Sequence, residues 1–297
     1  MKISDDYVKQ MIDAQRQALK ASGMDDKQIE ALLAQARQAM EAQAQVMKSM
    51  GLDISQMMGN APQQTAAAVG AIEDALEGLL DEDDIDLDAF TAANAPPKQF
   101  EKYVPIGALL IGTHGEPYGT IAVTQDREDT AYVLEEGWGI ENRKEGLKML
   151  ESLMEGRHAK KFGGVFEAIK AGKTDGIDAD EVECYEGGVS TLAEYINIPE
   201  AQVRGCKTLI AWDLERVGYL ARLFLNMGYI TDDEAWDWIG KAAAEVKKHF
   251  GAWEDYYVSV LLGRGFAMGI DEEPYHVAHD LLVDDREFLD RHPISAF

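Results

Sequence analysis

The residues with chemistry to offer in this chain are charges that fall where apolar side chains should. On a wheel of about 100° per residue, Ile210, Leu214, Val217, Ala221 and Phe224 form the core-facing stripe of a helix read over Lys207 to Asn226, and Asp213 lies inside that arc. A second helix, read over Ala252 to Phe266, has a stripe of Trp253, Tyr256, Tyr257 and Val260 with Arg264 near its centre. A third, Asn142 to His158, presents Leu147, Leu150 and Met154 on the same face as Arg143, Arg157 and His158. Buried ions are costly unless paired and hydrogen-bonded, so a carboxylate on one core stripe and guanidinium groups on two others are expected to meet in a single polar cluster. Asp213 is expected to pair across helices with Arg264 or Arg157. Arg216, which the wheel turns about 60° toward the polar edge, is expected as a more exposed second neighbour.

Such a cluster has a structural use, an ion-pair network that sets helix register, and a chemical one. In the chemical use, Asp213 and His158 act as acid or base while Arg157 or Arg264 holds an anion. None of the eight serines sits in a G-x-S-x-G turn, and neither a dinucleotide-binding nor a phosphate-binding glycine loop is present, so the structural use is preferred and no cofactor is expected. Two Glu-x-x-His pairs occur, Glu155/His158 and Glu273/His276, but a di-iron bundle needs two further helical glutamates and Pro274 interrupts the second pair. His276, His279 and Asp280 could ligate a divalent ion. A solvated helix edge explains them as well, and no metal is expected. Trp212, Trp236, Trp238 and Trp253 read as core rather than as stacking platforms.

The same residues carry a family resemblance. Trp138-Gly139-Ile140, Arg143, Gly156-Arg157-His158 with Phe162, Ala211-Trp212-Asp213-Leu214-Glu215-Arg216, Ala221-Arg222, Gly228-Tyr229-Ile230, Glu234-Ala235-Trp236, Trp253 and Gly263-Arg264, in that order and spacing, resemble a bacterial family known as domain of unknown function 1266 over residues 104–295. The resemblance implies an intracellular helical domain with no settled activity. It also implies that Ile106 to Ile111 is helical, whereas that run and Tyr118 to Val123, flanking His114-Gly115-Glu116-Pro117, by themselves read as a hairpin. Family members commonly have Trp where this chain closes with Asp290-Arg291-His292-Pro293.

These residues need a frame to position them, and the helix signals supply it. Asn142 with Glu145, Thr191 with Glu194 and Thr231 with Glu234 have capping-box spacing, and Gly187-Gly188-Val189-Ser190 reads as a loop leading to the Thr191 cap. The expected fold is mainly α, a multi-helix orthogonal bundle with an N-terminal helical hairpin on a flexible acidic linker. Residues 1–50 form the hairpin, 51–98 the linker and 99–297 the helical domain. Eight of the twelve methionines fall in the first 58 residues, where their adaptable side chains suit a loosely packed bundle or a docking surface. Residues 51–100 carry one basic and ten acidic groups, which suits a self-repelling tether.

The formal charge of −26 argues against nucleic acid and anionic membrane surfaces as partners, and no apolar run is long enough for a membrane span. Cys184 and Cys206, without a second pair, read as reduced thiols, and the N-terminus lacks a secretory pattern, so the cytoplasm is the expected compartment. The functional expectation is a non-enzymatic protein-interaction or regulatory module with an unidentified protein partner. An enzyme using Asp213, His158, Arg157 and Arg264 is the alternative.

Overall fold

The computed structural model describes residues 85–297, which form one compact unit. The expected hairpin over 1–50, and the expected linker as far as residue 84, lie outside the described residues. Every regular element described is helical, as the mainly-α expectation requires. Among the described residues no helix is long and apolar enough to cross a membrane.

The unit begins earlier than the expected boundary at residue 99. Helix α1 (Leu87–Ala93) starts at Asp86, whose carboxylate accepts from the Ala89 amide at 2.9 Å, and the Asn94 carbonyl just past its end accepts from Thr120. Helix α2 (Ala108–Gly112) lies in the segment read by itself as a hairpin. No strand forms among the described residues; Tyr118 to Val123 is irregular, and the helical expectation for Ile106 to Ile111 holds from Ala108 onward.

Helices α3 (Arg127–Trp138) and α4 (Arg143–Met154) are capped by Asp126 and Asn142. Beyond Met154 the chain departs from the expected single helix. Gly156 adopts φ 74°, a left-handed conformation that glycine reaches without steric cost, and α5 (Arg157–Lys170) starts in a new direction. Arg157 and His158 therefore do not continue the α4 face.

Helix α6 (Ala179–Glu194) starts at Asp178 and runs through Gly187 and Gly188, so Thr191 is an interior residue rather than a cap. The glycine pair serves close packing: a Cβ at Gly188 would stand 3.2 Å from Leu262, and one at Gly187 would strike Ile270. A short α7 (Glu200–Arg204) leads to the long pair α8 (Ile210–Met227) and α9 (Asp232–His249). Thr231 and Glu234 form the expected capping box at the start of α9. Helix α10 (Trp253–Met268), α11 (Glu273–His279), a π-helical turn at Asp280–Asp284 and α12 (Arg286–Arg291) complete the unit.

The core is organised around α8, which packs against α2, α3, α4, α5, α9 and α10. Thirteen of its eighteen residues are buried, so it has apolar neighbours on every side and no solvent face to which charge could be relegated. Segment 104–112 crosses it at closest range. A Cβ on Gly107 (φ 91°) would lie 2.6 Å from the Gly218 carbonyl carbon, and one on Gly218 would run into the Ile106 carbonyl. Two backbones touch there because neither residue carries a side chain.

The crossing yields a first prediction. Gly218→Ala should destabilise the protein by about 2–3 kcal/mol, because backbone on both sides cannot yield. Gly164→Ala in α5, where a new Cβ meets nothing within 4 Å, should stabilise by about 0.5–1 kcal/mol through helix propensity. Urea denaturation of the two variants checks the contrast.

A second concerns acid. Arg143 grips Glu234 through Nη2–Oε1 at 2.7 Å and Nη1–Oε2 at 3.1 Å, tying α4 to the α9 cap. That guanidinium, with help from the Thr231 amide, draws the Glu234 carboxyl from its ordinary 4.5 down to about 2. A group depressed on folding contributes stability above its unfolded value and loses it as pH falls toward the folded one. The melting-point gap between parent and Glu234→Gln should therefore narrow from about pH 6 to about pH 3. A gap independent of pH would show that the pair contributes nothing.

Candidate functional site

The cluster centred on Asp213 exists, but with other partners than expected. Asp213 is fully buried on α8, and its carboxylate faces the first turn of α5. Gly156 begins that helix without a side chain to cap it, and Asp213 takes over the capping role from a different element. Its Oδ1 and Oδ2 accept from the His158 amide at 3.0 and 3.1 Å, Oδ2 accepts from the Ala159 amide at 2.9 Å, and Oδ1 accepts from His158 Nδ1 at 2.8 Å. These are the amides that a capping residue's own side chain would bind, and the negative charge also sits at the positive end of the helix dipole.

Neither expected arginine reaches Asp213. Arg157 is exposed, with Nη1 against the Met149 sulfur at 3.5 Å. Arg264 is mostly buried, but it donates to Asp271 Oδ2 at 2.8 Å and to the Gly269 carbonyl at 3.2 Å. The wheel counted only residues within the helix of Arg264. The turn at Gly269 brings Asp271 back to it from beyond the helix end. Arg143, expected on one face with Arg157 and His158, reaches out to Glu234 instead.

Arg216, expected at the exposed edge, is the cation nearest the centre. Its Nη1 lies 2.9 Å from His158 Nδ1 and 3.0 Å from Nε2. An in-plane approach at equal range to both nitrogens would collide with Cε1, so the guanidinium stands over the face of the imidazole. Its Cζ also lies 4.3 Å from the Trp138 ring centroid and 5.1 Å from that of Trp212. Burial pushes the guanidinium down to about 10, with Asp213 pulling upward and Arg157 adding to the depression.

Two further buried ions on α8 escaped the stripe reading. Glu215 accepts from the Gly107 amide at 3.0 Å, the Leu110 amide at 3.2 Å and the Tyr256 hydroxyl at 2.5 Å, and so caps α2 as Asp213 caps α5. Burial raises its carboxyl above the ordinary range, against the opposing pull of those donors and of Arg222. Arg222 donates to four carbonyls: Val104 and Ile106 at 2.7 Å, Gly218 at 2.8 Å and Thr120 at 3.1 Å. Burial lowers it to about 10, while Glu215 pulls it back up. The signal was in the sequence: Glu215 and Arg222 stand seven residues apart, which puts both on one face of a helix whose every face is apolar.

Of the metal candidates, His279 and Asp280 come together with Asp284, their ligand atoms within 4.8 Å of one another. The π-helical turn places Asp284, five residues on, 3.3 Å from His279 Nδ1. His276 is not part of that group and packs edge-on against Tyr195.

Beside the Asp213 cluster opens a cleft of 380 Å³, walled by α3, α8, α10 and the residues after α2. Trp138, Trp212, Arg216, Tyr219 and Arg264 line it, with His114 across from them and Asp271 and Glu273 at the α11 side. His114 donates through Nδ1 to the Leu110 carbonyl at 2.8 Å, which leaves Nε2 to accept from Tyr219 at 3.3 Å.

A family model described as "protein of unknown function (DUF1266)" matches residues 133–291. The match takes in Asp213, His158, Arg216, Arg222 and Arg264, while the segment gripped by Glu215 and Arg222 precedes it. No curated protein and no solved structure matches the chain. With more than half of its length covered by that model, helices, cluster and most of the cleft included, the chain belongs to the DUF1266 family of proteins of unknown function.

Proposed function

We propose that the protein is a non-enzymatic binding module of the bacterial cytoplasm that acts through a protein partner. The observation that carries this reading is the occupation of Asp213. Both oxygens of its carboxylate are taken up by the His158 and Ala159 amides and by the His158 ring, so the group best placed to move a proton is engaged in holding a helix. Arg264, bound to Asp271, and Arg157, at the surface, fit the same reading.

Further support comes from composition and thiol chemistry. Burial raises the Cys206 thiol to about 11 and raises Cys184 as well, so both favour the protonated, unreactive form that suits a reducing compartment. The Met-rich sequence of the first 58 residues offers adaptable apolar side chains to a partner. The charge of −26 disfavours nucleic acid and membrane surfaces.

A second reading, an enzyme in which Asp213 orients His158, is favoured by the 2.8 Å bond between Oδ1 and Nδ1. Stability separates the two. As a cap, Asp213 replaced by Ala leaves two first-turn amides orphaned and should cost about 3 kcal/mol. Asp213→Asn, which keeps one accepting oxygen, should cost less but still lower the melting point. Residues held for catalysis are commonly neutral or destabilising in the resting fold, so an Asp213→Asn protein as stable as the parent would overturn the module reading.

A further inference from the structure

Arg216 differs from the other anchored arginines of the described unit. Arg143, Arg204, Arg264 and Arg286 each meet a carboxylate, and Arg222 meets four carbonyls. Among the described residues Arg216 has no carboxylate within ion-pair reach, and its one polar contact, through Nη1, is with the face of His158. Its Nε and Nη2 hydrogens donate to nothing among those residues. A largely desolvated cation with free donors is an unfavourable thing to keep, as its lowered pKa records. Yet the side chain is held firmly, between Trp138 and Trp212 and over His158, and it lines a cleft. Trp212 lines the same cleft, is 2 % exposed, and its indole N–H finds no acceptor among the described residues.

We infer that this cleft binds a small organic monocarboxylate, with its carboxylate on the free donors of Arg216 and its planar or apolar body against Trp138 and Trp212. A guanidinium with a fixed orientation presents the paired N–H geometry that a carboxylate accepts in bidentate fashion. The volume of 380 Å³ falls in the range of small-molecule sites, and the aromatic walls suit an apolar body. Glu273, which meets no cation among the described residues, restricts the charge of the occupant. Together with the protein's overall −26 it repels polyanions, so a single negative charge at the Arg216 end is favoured over a nucleotide or polyphosphate. Arg264, already neutralised by Asp271, closes that side of the cleft without adding net charge.

This inference goes beyond the binding-module reading, and the two fail separately: the Asp213 melting comparison decides that reading without any ligand. The test is an indole N–H titration by two-dimensional NMR, which resolves the five tryptophans of the full chain. The probes are phenylacetate, its neutral isostere phenylacetamide, and phenyl phosphate. Phenylacetate, a ligand small enough to bind in the millimolar range, should shift Trp138 and Trp212 saturably. Trp236, stacked on Phe100, and Trp253, whose N–H donates to the His292 carbonyl, should stay still. Phenylacetamide should bind at least about tenfold more weakly, because it brings no charge to Arg216, and phenyl phosphate more weakly than phenylacetate, because its second charge meets the acidic side.

Arg216→Met should abolish the phenylacetate shifts while leaving the melting point equal to or above the parent's, and Arg216→Lys should retain weakened binding. Several results would overturn the proposal: no saturable shift with phenylacetate, equal binding of acid and amide, or shifts that survive Arg216→Met. Tighter binding of phenyl phosphate would overturn the choice of a monocarboxylate. The comparison of acid and amide on the parent protein holds even if an Arg216 variant fails to fold. Conversion of phenylacetate on the parent would contradict the non-enzymatic reading while leaving the site in place.

Discussion

A buried charge with no solvent face to escape to must be answered by the backbone around it, and helix α8 meets that demand three times. Asp213 answers the open amides of α5, Glu215 those of α2, and Arg222 the carbonyls of Val104, Ile106 and Thr120. Each ion would cost several kcal/mol if buried unanswered. Each helix start or turn would in turn leave orphan polar groups if it packed against an apolar side chain at that point. The two deficits cancel. The result is specific in a way that apolar packing is not, since a shift of α2 or α5 by one residue along α8 would expose both sides of the mismatch at once.

The same constraint explains the distribution of small residues. Gly107 and Gly218 let segment 104–112 approach α8 closely enough for Glu215 and Arg222 to reach its amides and carbonyls. Gly156 turns the chain between α4 and α5 and leaves the α5 amides for Asp213. At Gly218 the two ions that hold the approaching segment, Glu215 and Arg222, stand one turn away on either side along the same helix. Arg216 stands apart from these ions. That side chain is positioned by aromatic faces instead of backbone groups, and it alone of the four charged residues of α8 lines the cleft.

Much of the frame was legible because helix signals are local. The stripes of α8 and α10 and the Thr231 capping box needed only spacing along the chain, as did the inference that Asp213 is buried and answered. The errors came where distant chain decides. A wheel carried through Gly156 put Arg157 and His158 on the wrong helix. Arg264 found Asp271 past the helix end, where no wheel extends. Thr191 has capping chemistry, but α6 continues through the preceding glycines because Leu262 and Ile270 need that room. The apolar runs near His114 looked like paired strands because short apolar segments carry no period of their own. A single apolar arc does not reveal Glu215 and Arg222, because α8 is buried on every side.

The most direct test of the account is native-state hydrogen exchange at the amides of Gly107, Leu110, His158 and Ala159. First-turn amides of a helix usually exchange quickly, since nothing within the helix accepts from them. Held by buried carboxylates, these four should exchange as slowly as the interior amides of α8, opening only with the unit as a whole. Rapid exchange at these positions, with α8 itself protected, would show that its ions do not hold the surrounding backbone and would contradict the account at its base.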